Sequence, residues 1–173
     1  MRQQNLVLIG FMGSGKTSVG VKLSYRLRVP VEDTDKLIER REDCSVSDIF
    51  RNKGEEYFRQ LETELLRELT ESKVVKVYSV GGGTPVKPEN RELLKKLGMV
   101  VYLRVRPETV YERLKGDTAR PLLQCGNPLE KIRELMQARK AAYEETADMI
   151  LDVDEMTLEQ IQDSIMMKMV SEW

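Results

Sequence analysis

The sequence predicts an α/β protein, in which one parallel sheet lies between two layers of helices. Short apolar runs that are typical of buried strands alternate with segments of helical periodicity, and no hairpin turn joins one run to the next. A glycine-rich loop also follows the first run directly and leads into a helical pattern. The 173 residues suit a single domain, 1–173, that buries a sizeable core.

The elements can be placed in order along the chain. The five strand candidates are Leu6–Ile9, Val29–Val31, Val74–Val80, Met99–Val105 and Met149–Leu151. Pro88 and Pro107 mark the starts of two later helices, because proline suits the first helical turn. A closing helix packed on the sheet is predicted from the helical spacing of Leu158, Ile161, Ile165 and Met169.

The loop after the first strand predicts phosphate binding. Residues 10–17, Gly-Phe-Met-Gly-Ser-Gly-Lys-Thr, fit the pattern of a glycine, four free positions and Gly-Lys-Ser/Thr. Its N–H groups and the following helix N-terminus can point at phosphate oxygens. Lys16 suits the β- and γ-phosphates, and the Thr17 hydroxyl suits a Mg²⁺ that bridges them. A chance glycine turn would match in roughly 1% of such chains or fewer.

Two carboxylates follow the second strand, at Asp33 and Asp35. Ligands of open α/β sheets gather beyond the carboxyl ends of strands. If the segment is still extended, both side chains project from one face. One can then hold Mg²⁺, directly or through water, and the other can take a proton from a hydroxyl. Alternatively, one of the two simply caps a helix over Lys36–Arg41.

Three further groups are candidates for contact with a second ligand. Arg59 lies in a charged helical segment, where it is a ligand or merely the partner of Glu55 or Glu62. The third strand ends in Gly81-Gly82-Gly83, which indicates backbone close to a ligand rather than a loose turn. Residues 115–128 are polar and bounded by Gly and Pro, as in a mobile lid. Arg120 in this segment can reach a transferring phosphate; alternatively, it is an exposed loop residue.

Composition excludes several classes of function. The chain has no histidine, so catalytic triads and histidine metal sites are excluded, and acid–base work falls to Asp, Glu, Lys or Tyr. A formal net charge of −1 gives no sign of nucleic acid binding. We expect no membrane association, since no apolar run approaches spanning length. The start shows no secretory segment, and the two cysteines have no metal-like spacing, so a cytoplasmic location is expected.

Together these motifs resemble the shikimate kinase family, from residue 10 to residue 143. The matching elements, in the family's order, are the phosphate loop, Asp33-Thr34-Asp35, Gly54-Glu55-x-x-Phe58-Arg59-x-x-Glu62, Gly81-Gly82-Gly83, Arg120-Pro121-Leu122-Leu123, and Arg139 followed by Tyr143. The resemblance implies a three-layer P-loop kinase fold with a five-stranded parallel sheet. It also implies a substrate-binding helical segment over about 33–61 and a lid over about 113–127.

The resemblance further implies an activity and its residues. The enzyme would be an ATP-dependent kinase that transfers the γ-phosphate to the 3-hydroxyl of shikimate in aromatic amino-acid biosynthesis, as a monomer that uses Mg²⁺. The expected catalytic residues are Lys16, Asp35 and Arg120. ATP would be bound by Gly13, Ser14, Gly15, Lys16, Thr17, Ser18, Arg113 and Arg120, and shikimate by Asp35, Arg59, Gly81, Gly82 and Arg139. Thr17 would hold the metal directly and Asp33 through water.

Two alternatives compete with this interpretation. The first is another small-molecule kinase of the same build, of gluconate or nucleoside monophosphate type, which the Asp-Thr-Asp and triple-glycine elements disfavour. The second is a non-catalytic nucleotide switch. Asn52-Lys53-Gly54-Glu55 superficially matches a guanine-reading motif, but it has Glu where Asp is required and comes too early in the chain.

Overall fold

The computed structural model describes residues 4–117, 124 and 126–171, which form five strands and eight α-helices. The strands are β1 (Asn5–Ile9), β2 (Val31–Asp33), β3 (Val77–Ser79), β4 (Gly98–Arg104) and β5 (Met149–Asp152). The helices are α1 (Lys16–Leu27), α2 (Thr34–Glu42), α3 (Val46–Lys53), α4 (Glu55–Thr70), α5 (Pro88–Leu97), α6 (Pro107–Leu114), α7 (Pro128–Thr146) and α8 (Leu158–Ser171). A short 3₁₀ turn, Thr84–Val86, follows the triple glycine.

The sheet has the order β2-β3-β1-β4-β5, and every pairing in it is parallel. The central strand β1 places Leu8 beside Ser79 of β3 and Val101 of β4. The carboxyl ends of β1, β2 and β3 therefore lie together at one edge, where the phosphate loop, the aspartates and the triple glycine follow. The predicted five-stranded parallel sheet is confirmed.

Hydrophobic residues cover both faces of this sheet. Leu6 and Leu8 of β1 belong to a buried cluster that also contains residues of α1 and α8, including Leu23 and Ile165. Val7 and Ile9 alternate with them and join a second cluster with Leu66, Leu94 and Tyr143, from α4, α5 and α7. Strand residues point to opposite faces with a period of two, so this division produces the predicted three layers.

Helices α2, α3 and α4 enclose a third, smaller hydrophobic cluster. Its buried members are Ile38, Ile49, Phe58, Leu61 and Leu65. This cluster gives the helices that follow β2 their own packing, next to the main core. It thereby fixes the position of Arg59, which lies on α4 between two members of the cluster.

The second and third strands differ most from the sequence prediction, whereas the bounds of the other three differ from it by one residue at one or both ends. The second strand is Val31–Asp33 rather than Val29–Val31, because Arg28 ends α1 with a left-handed backbone (φ 56°) and Val29 still bonds back to Ser24. Pro30 has no N–H to offer a neighbouring strand, although its carbonyl accepts from Val77. The third strand is shorter than predicted, Val77–Ser79 instead of Val74–Val80. The predicted lid arginine, Arg120, lies outside the described residues, as does Cys125. Among the described helices, none has both the length and the apolar character needed to cross a bilayer.

Candidate active site

One cleft at the carboxyl edge of the sheet collects most of the residues that the sequence predicts. It has a volume of about 310 Å³. Its walls come from the phosphate loop, the turn after β2 and the triple glycine: Met12, Gly13, Gly15, Lys16, Thr17, Ser18, Asp33, Asp35, Ser79, Val80, Gly81 and Gly82. Residues from three separate segments therefore face the same space.

The phosphate loop turns sharply between β1 and α1. Gly10 has φ 151°, and a Cβ there would lie 2.7 Å from the Leu103 carbonyl oxygen, so no larger residue fits. The Lys16 ammonium folds back over the loop and donates to the carbonyl oxygens of Gly10 (2.8 Å) and Phe11 (3.0 Å). The buried Ser14 hydroxyl has no hydrogen-bond partner in the described part of the chain. The loop thus presents donors at the start of α1, where anions bind.

The two aspartates do not lie together on an extended strand, which was one of the two arrangements that the sequence allowed. Asp33 is the last residue of β2 and caps α2, since its Oδ1 accepts from the Lys36 backbone N–H at 3.1 Å. Asp35 lies in the first turn of α2. The capping prediction is confirmed for Asp33, except that the helix begins at Thr34 rather than Lys36. Both residues nevertheless line the cleft, so the cap does not remove Asp33 from the site.

Asp35 is in an environment that favours its protonated form. Burial is the main cause, Asp33 and Glu62 add repulsion, and together they raise the pKa of Asp35 to about 6, although Lys16 and Arg59 oppose the rise. Its Oδ1 has no hydrogen-bond partner within residues 4–117, 124 and 126–171. It lies against Gly81, where a Cβ would come within 2.6 Å of it. A carboxylate of this pKa is a better proton acceptor than an ordinary aspartate.

Arg59 is held by carboxylates on its own helix. Its guanidinium bonds Glu62 at 2.8 Å and Glu55 at 3.3 Å. Glu62 is only 2% exposed and also accepts from the Thr84 hydroxyl at 2.5 Å. The predicted ion pairing of Arg59 with Glu55 and Glu62 is therefore confirmed. The same guanidinium lies against the triple glycine, since a Cβ on Gly83 would come within 2.6 Å of its central carbon.

Arg139 approaches the triple glycine from α7. Its guanidinium carbon lies 5.5 Å from the centre of the Phe11 ring. The neighbouring Tyr143 hydroxyl donates to the Gly82 carbonyl at 2.6 Å, and burial raises the pKa of Tyr143 while the nearby Arg139 opposes that rise. A Cβ on Gly82 would lie 3.4 Å from Arg139 Nη1. The two arginines thus flank one strip of bare backbone.

A second cleft of about 320 Å³ adjoins the other side of the phosphate loop. Gly13, Ser14, Gly15 and Ser18 form one wall, and Val153, Met156 and Leu158 form an apolar wall. Arg113 lines it and donates to the Gly13 carbonyl at 2.7 Å. A larger groove beside Tyr102 contains none of the predicted site residues, and its Arg104 is already paired with Asp152.

The cleft offers few protein ligands for a metal ion. Thr17 and Asp33 both line it, and Asp33 has committed one oxygen to the helix cap. Within the described residues, no three His, Cys, Asp or Glu side chains form a metal-binding group. Mg²⁺ usually keeps several waters and takes one or two protein ligands plus substrate phosphates. A hydroxyl and one carboxylate oxygen beside a phosphate loop fit that ion.

A parallel sheet with a lysine-bearing phosphate loop and a carboxylate cleft at its carboxyl edge defines a P-loop kinase. Comparison with known proteins narrows this class. The sequence model of the family described as "Shikimate kinase" matches residues 12–170. The chain belongs to the shikimate kinase family, whose members are ATP-dependent kinases that phosphorylate a hydroxyl of shikimate.

Individual relatives support the same assignment. The shikimate kinase of Thermodesulfovibrio yellowstonii is 42% identical over 162 residues, which are 94% of this chain and 92% of the relative. The shikimate kinase of Sulfurihydrogenibium sp. is 42% identical over 95% of this chain and 97% of its own. Among solved structures, the Acinetobacter baumannii shikimate kinase in complex with shikimate has a TM-score of 0.91 and 37% identity, covering 99% of this chain and 95% of that one.

The family prediction is therefore confirmed, and the gluconate kinase alternative is not supported. A gluconokinase from Sinorhizobium meliloti has a TM-score of 0.54 and only 16% identity over 98% of this chain and 96% of its own, so it shares the fold alone.

Sequence reasoning missed three residues of the site. The sequence interpretation gives Phe11 no function. Its aromatic side chain is unusual in a loop of glycines and polar residues, and that was a usable signal. Tyr143 belongs to the family motif, but the sequence interpretation gives it no function. It lies one helical turn after Arg139 and on the same face of the helix. Thr84 gave no local signal, because its partner Glu62 is 22 positions away.

Proposed function

We propose that this chain transfers the γ-phosphate of ATP to the 3-hydroxyl of shikimate and releases shikimate 3-phosphate and ADP. The observation that carries the proposal is the shared cleft, which joins the phosphate-loop lysine, Lys16, to Asp35. An ATP phosphate on the loop and a hydroxyl beside the aspartate would meet in the same space. Membership of the shikimate kinase family supports the choice of acceptor.

The two arginines beside the triple glycine would bind the carboxylate of shikimate. Guanidinium groups bind carboxylates through paired hydrogen bonds that lysine does not reproduce. Arg59 approaches Gly83 from α4, and Arg139 approaches Gly82 from α7. The glycines Gly81 and Gly82 would let the substrate ring lie directly on the backbone.

Asp35 would orient the accepting hydroxyl and take its proton as the phosphate is transferred. Its Oδ1 has no competing hydrogen bond in the described part of the chain, so it is available to a substrate hydroxyl. Its raised pKa, about 6, brings its proton affinity near the range in which a general base is useful. The reaction otherwise requires positioning and charge stabilisation, for which no histidine is needed.

The phosphates of ATP would lie along Gly13, Ser14, Gly15, Lys16, Thr17 and Ser18. Lys16 would leave its two loop carbonyls and pair with the phosphate oxygens. Thr17 would ligate Mg²⁺ and Asp33 would hold it through a water, so that the ion neutralises charge on the phosphates. Arg113 and the apolar wall of the second cleft would border the adenine, and Arg120 would stabilise the transferring phosphate from the lid.

We further propose that the protein works in the cytoplasm as a monomer, without nucleic acid or membrane partners. The formal net charge of −1 and the absence of a spanning helix among the described residues are consistent with this. Gel filtration coupled to light scattering would test the monomer, since a mass near 40 kDa rather than 20.0 kDa would contradict it.

The first experiment is ADP release from Mg-ATP by the purified protein. Shikimate is compared with quinate, gluconate, nucleoside monophosphates and no acceptor. We expect ADP formation that depends on shikimate, and none from a Lys16→Ala preparation, which controls for contaminating kinases. Activity with another acceptor alone would discard shikimate while retaining the kinase. ADP release without any acceptor, or nucleotide binding without turnover, would favour a switch.

A further inference from the structure

We propose that Phe11 is a positioning residue for the acceptor substrate. Its ring holds the Arg139 guanidinium through a cation–π contact and so sets the affinity for the substrate carboxylate. The inference rests on the role proposed above for Arg139, and it adds a residue of the phosphate loop to the machinery of the second substrate.

The surroundings of Arg139 identify Phe11 as its support. None of the ion pairs between described residues involves Arg139. The group is instead bounded by the Phe11 ring, the Tyr143 hydroxyl and the bare backbone of Gly82. A cation within about 6 Å of a ring centre is attracted by the negative face of the ring. The 5.5 Å separation of Arg139 and Phe11 meets that criterion.

Phe11 is itself fixed in place. Its side chain is 1% exposed and belongs to the same buried cluster as Leu114 and Ile132. Its backbone lies in the phosphate loop, and its carbonyl accepts from the Lys16 ammonium at 3.0 Å. Phe11 therefore has two contacts in the site. Its backbone carbonyl binds Lys16 on the nucleotide side, and its ring contacts Arg139 on the acceptor side.

The choice of an aromatic partner has a chemical consequence. A carboxylate would hold Arg139 but would also neutralise its charge and occupy its N–H groups. A ring face attracts the cation without taking up the hydrogen bonds of its N–H groups, so these groups stay available to the substrate. The contact also restricts a long side chain before binding, which lowers the entropy that ordering it would cost.

A fluorination series tests the electrostatic part of this contact. Mono-, di- and trifluorophenylalanine are incorporated at position 11, because fluorine weakens the negative ring face while nearly preserving ring shape. We expect the KM for shikimate to rise stepwise, by about three- to tenfold over the series. The KM for ATP and kcat should stay within about twofold. Phe11→Leu, which keeps an apolar side chain, should match the end of the series.

Two controls separate positioning from packing. Val110→Ala removes buried methyl groups from the same cluster and should lower the melting temperature without a selective change in the KM for shikimate. In an Arg139→Ala background, fluorination should have no further effect on that KM.

The outcomes distinguish the inference from the function on which it rests. The role of Phe11 alone would be overturned if the KM for shikimate stayed constant through the fluorination series and in Phe11→Leu, while Arg139→Ala raised it strongly. Fluorination that acts equally without Arg139 would do the same. An unchanged KM in Arg139→Ala itself would overturn both proposals.

Discussion

The two arginines beside the triple glycine both lie within about 6 Å of an aromatic ring, Arg59 over Phe58 and Arg139 over Phe11, but they differ in their ionic partners. Arg59 is bonded to Glu62 and Glu55 and lies close enough to Asp35 to lower its pKa. Arg139 has no ion pair among the described residues and rests on the Phe11 ring and the Tyr143 hydroxyl. One arginine shares its charge with a carboxylate cluster, whereas the other keeps its charge for a ligand.

This difference suggests a division of labour. The buried Glu62 compensates much of the Arg59 charge before any substrate arrives, so Arg59 should contribute less to anion affinity. Arg59 instead acts electrostatically on the proposed base, because its charge lowers the pKa of Asp35. Arg139 forms no ion pair with this cluster in the described part of the chain, and the main causes of the raised pKa of Asp35 are burial, Asp33 and Glu62. We therefore expect changes at Arg139 to act mainly on the KM for shikimate, and changes in the cluster to act also on kcat and its pH dependence.

The largest effect is expected at Asp35, the centre of the cluster. Asp35→Asn keeps the shape of the side chain but removes the proton acceptor, so kcat should fall by a factor on the order of 10² or more. Steady-state kinetics with saturating shikimate measures this. Glu39 provides a control on the same helix, because it carries the same charge but is paired with Lys36 and the Val46 backbone outside the cleft, so Glu39→Gln should leave kcat unchanged. Near-normal turnover by Asp35→Asn would remove Asp35 from the chemistry.

The same substitution has a predicted effect on stability. Because the pKa of Asp35 is raised in the folded state from 3.8 to about 6, the folded protein binds this proton more tightly than the unfolded chain. Its ionisation therefore destabilises the fold as the pH rises from about 4 to above 6. Asp35→Asn should raise the free energy of unfolding at pH 8 by about 1–3 kcal/mol, and by little at pH 4. Urea unfolding at both pH values distinguishes this from a uniform change.

Arg139→Lys gives the next largest effect and tests the comparison directly. Lysine keeps the charge but loses the paired geometry and the contact between guanidinium and ring, so affinity for shikimate should fall by about 2–3 kcal/mol, roughly 30- to 150-fold. The KM for ATP and the pH dependence of kcat should not change, since Arg139 lies outside the acidic cluster. A shifted pH profile would show that the two arginines are not separate.

Local sequence patterns account for the nucleotide half of this site. The phosphate loop is contiguous, and its glycines, lysine and threonine act through neighbouring backbone, so the pattern at residues 10–17 specifies both the turn and its ligand. The parallel sheet followed from the alternation of apolar runs with helical periods. The predicted start of β2 was wrong by two residues because the left-handed end of α1 at Arg28 and the turn at Pro30 depend on how α1 joins the strand.

The acceptor half depends on contacts that local patterns do not contain. Glu62 meets Thr84 across 22 positions, and Tyr143 meets Gly82 across 61. The residue types allowed Arg59 to be a surface ion pair or a ligand, and only the fold shows that it forms the ion pair and also faces the triple glycine. Family resemblance selected the residues Arg59 and Arg139, but their unequal partners could be identified only in three dimensions.

A smaller effect on affinity is expected at Arg59. Arg59→Lys should weaken shikimate binding by about 1–2 kcal/mol, because part of the guanidinium is already committed to Glu62. Isothermal titration with shikimate, run beside Arg139→Lys, gives the ratio of the two losses. If Arg59→Lys costs as much as Arg139→Lys, the pairing with Glu62 does not reduce the contribution of Arg59 to anion binding.

Glu62→Gln should produce the smallest change, and it isolates the electrostatic link within the cluster. The raised pKa of Asp35 implies that kcat increases with pH through about 6 and levels off above it, as the base loses its proton. Glu62 contributes to that rise by repulsion, so its neutral analogue should move the midpoint to lower pH, by less than about one pH unit. Arg59 then also loses its buried counter-charge, and its affinity for the substrate carboxylate should increase. A profile that stays in place, together with unchanged shikimate affinity, would mean that the acidic cluster influences neither the proposed base nor the paired arginine.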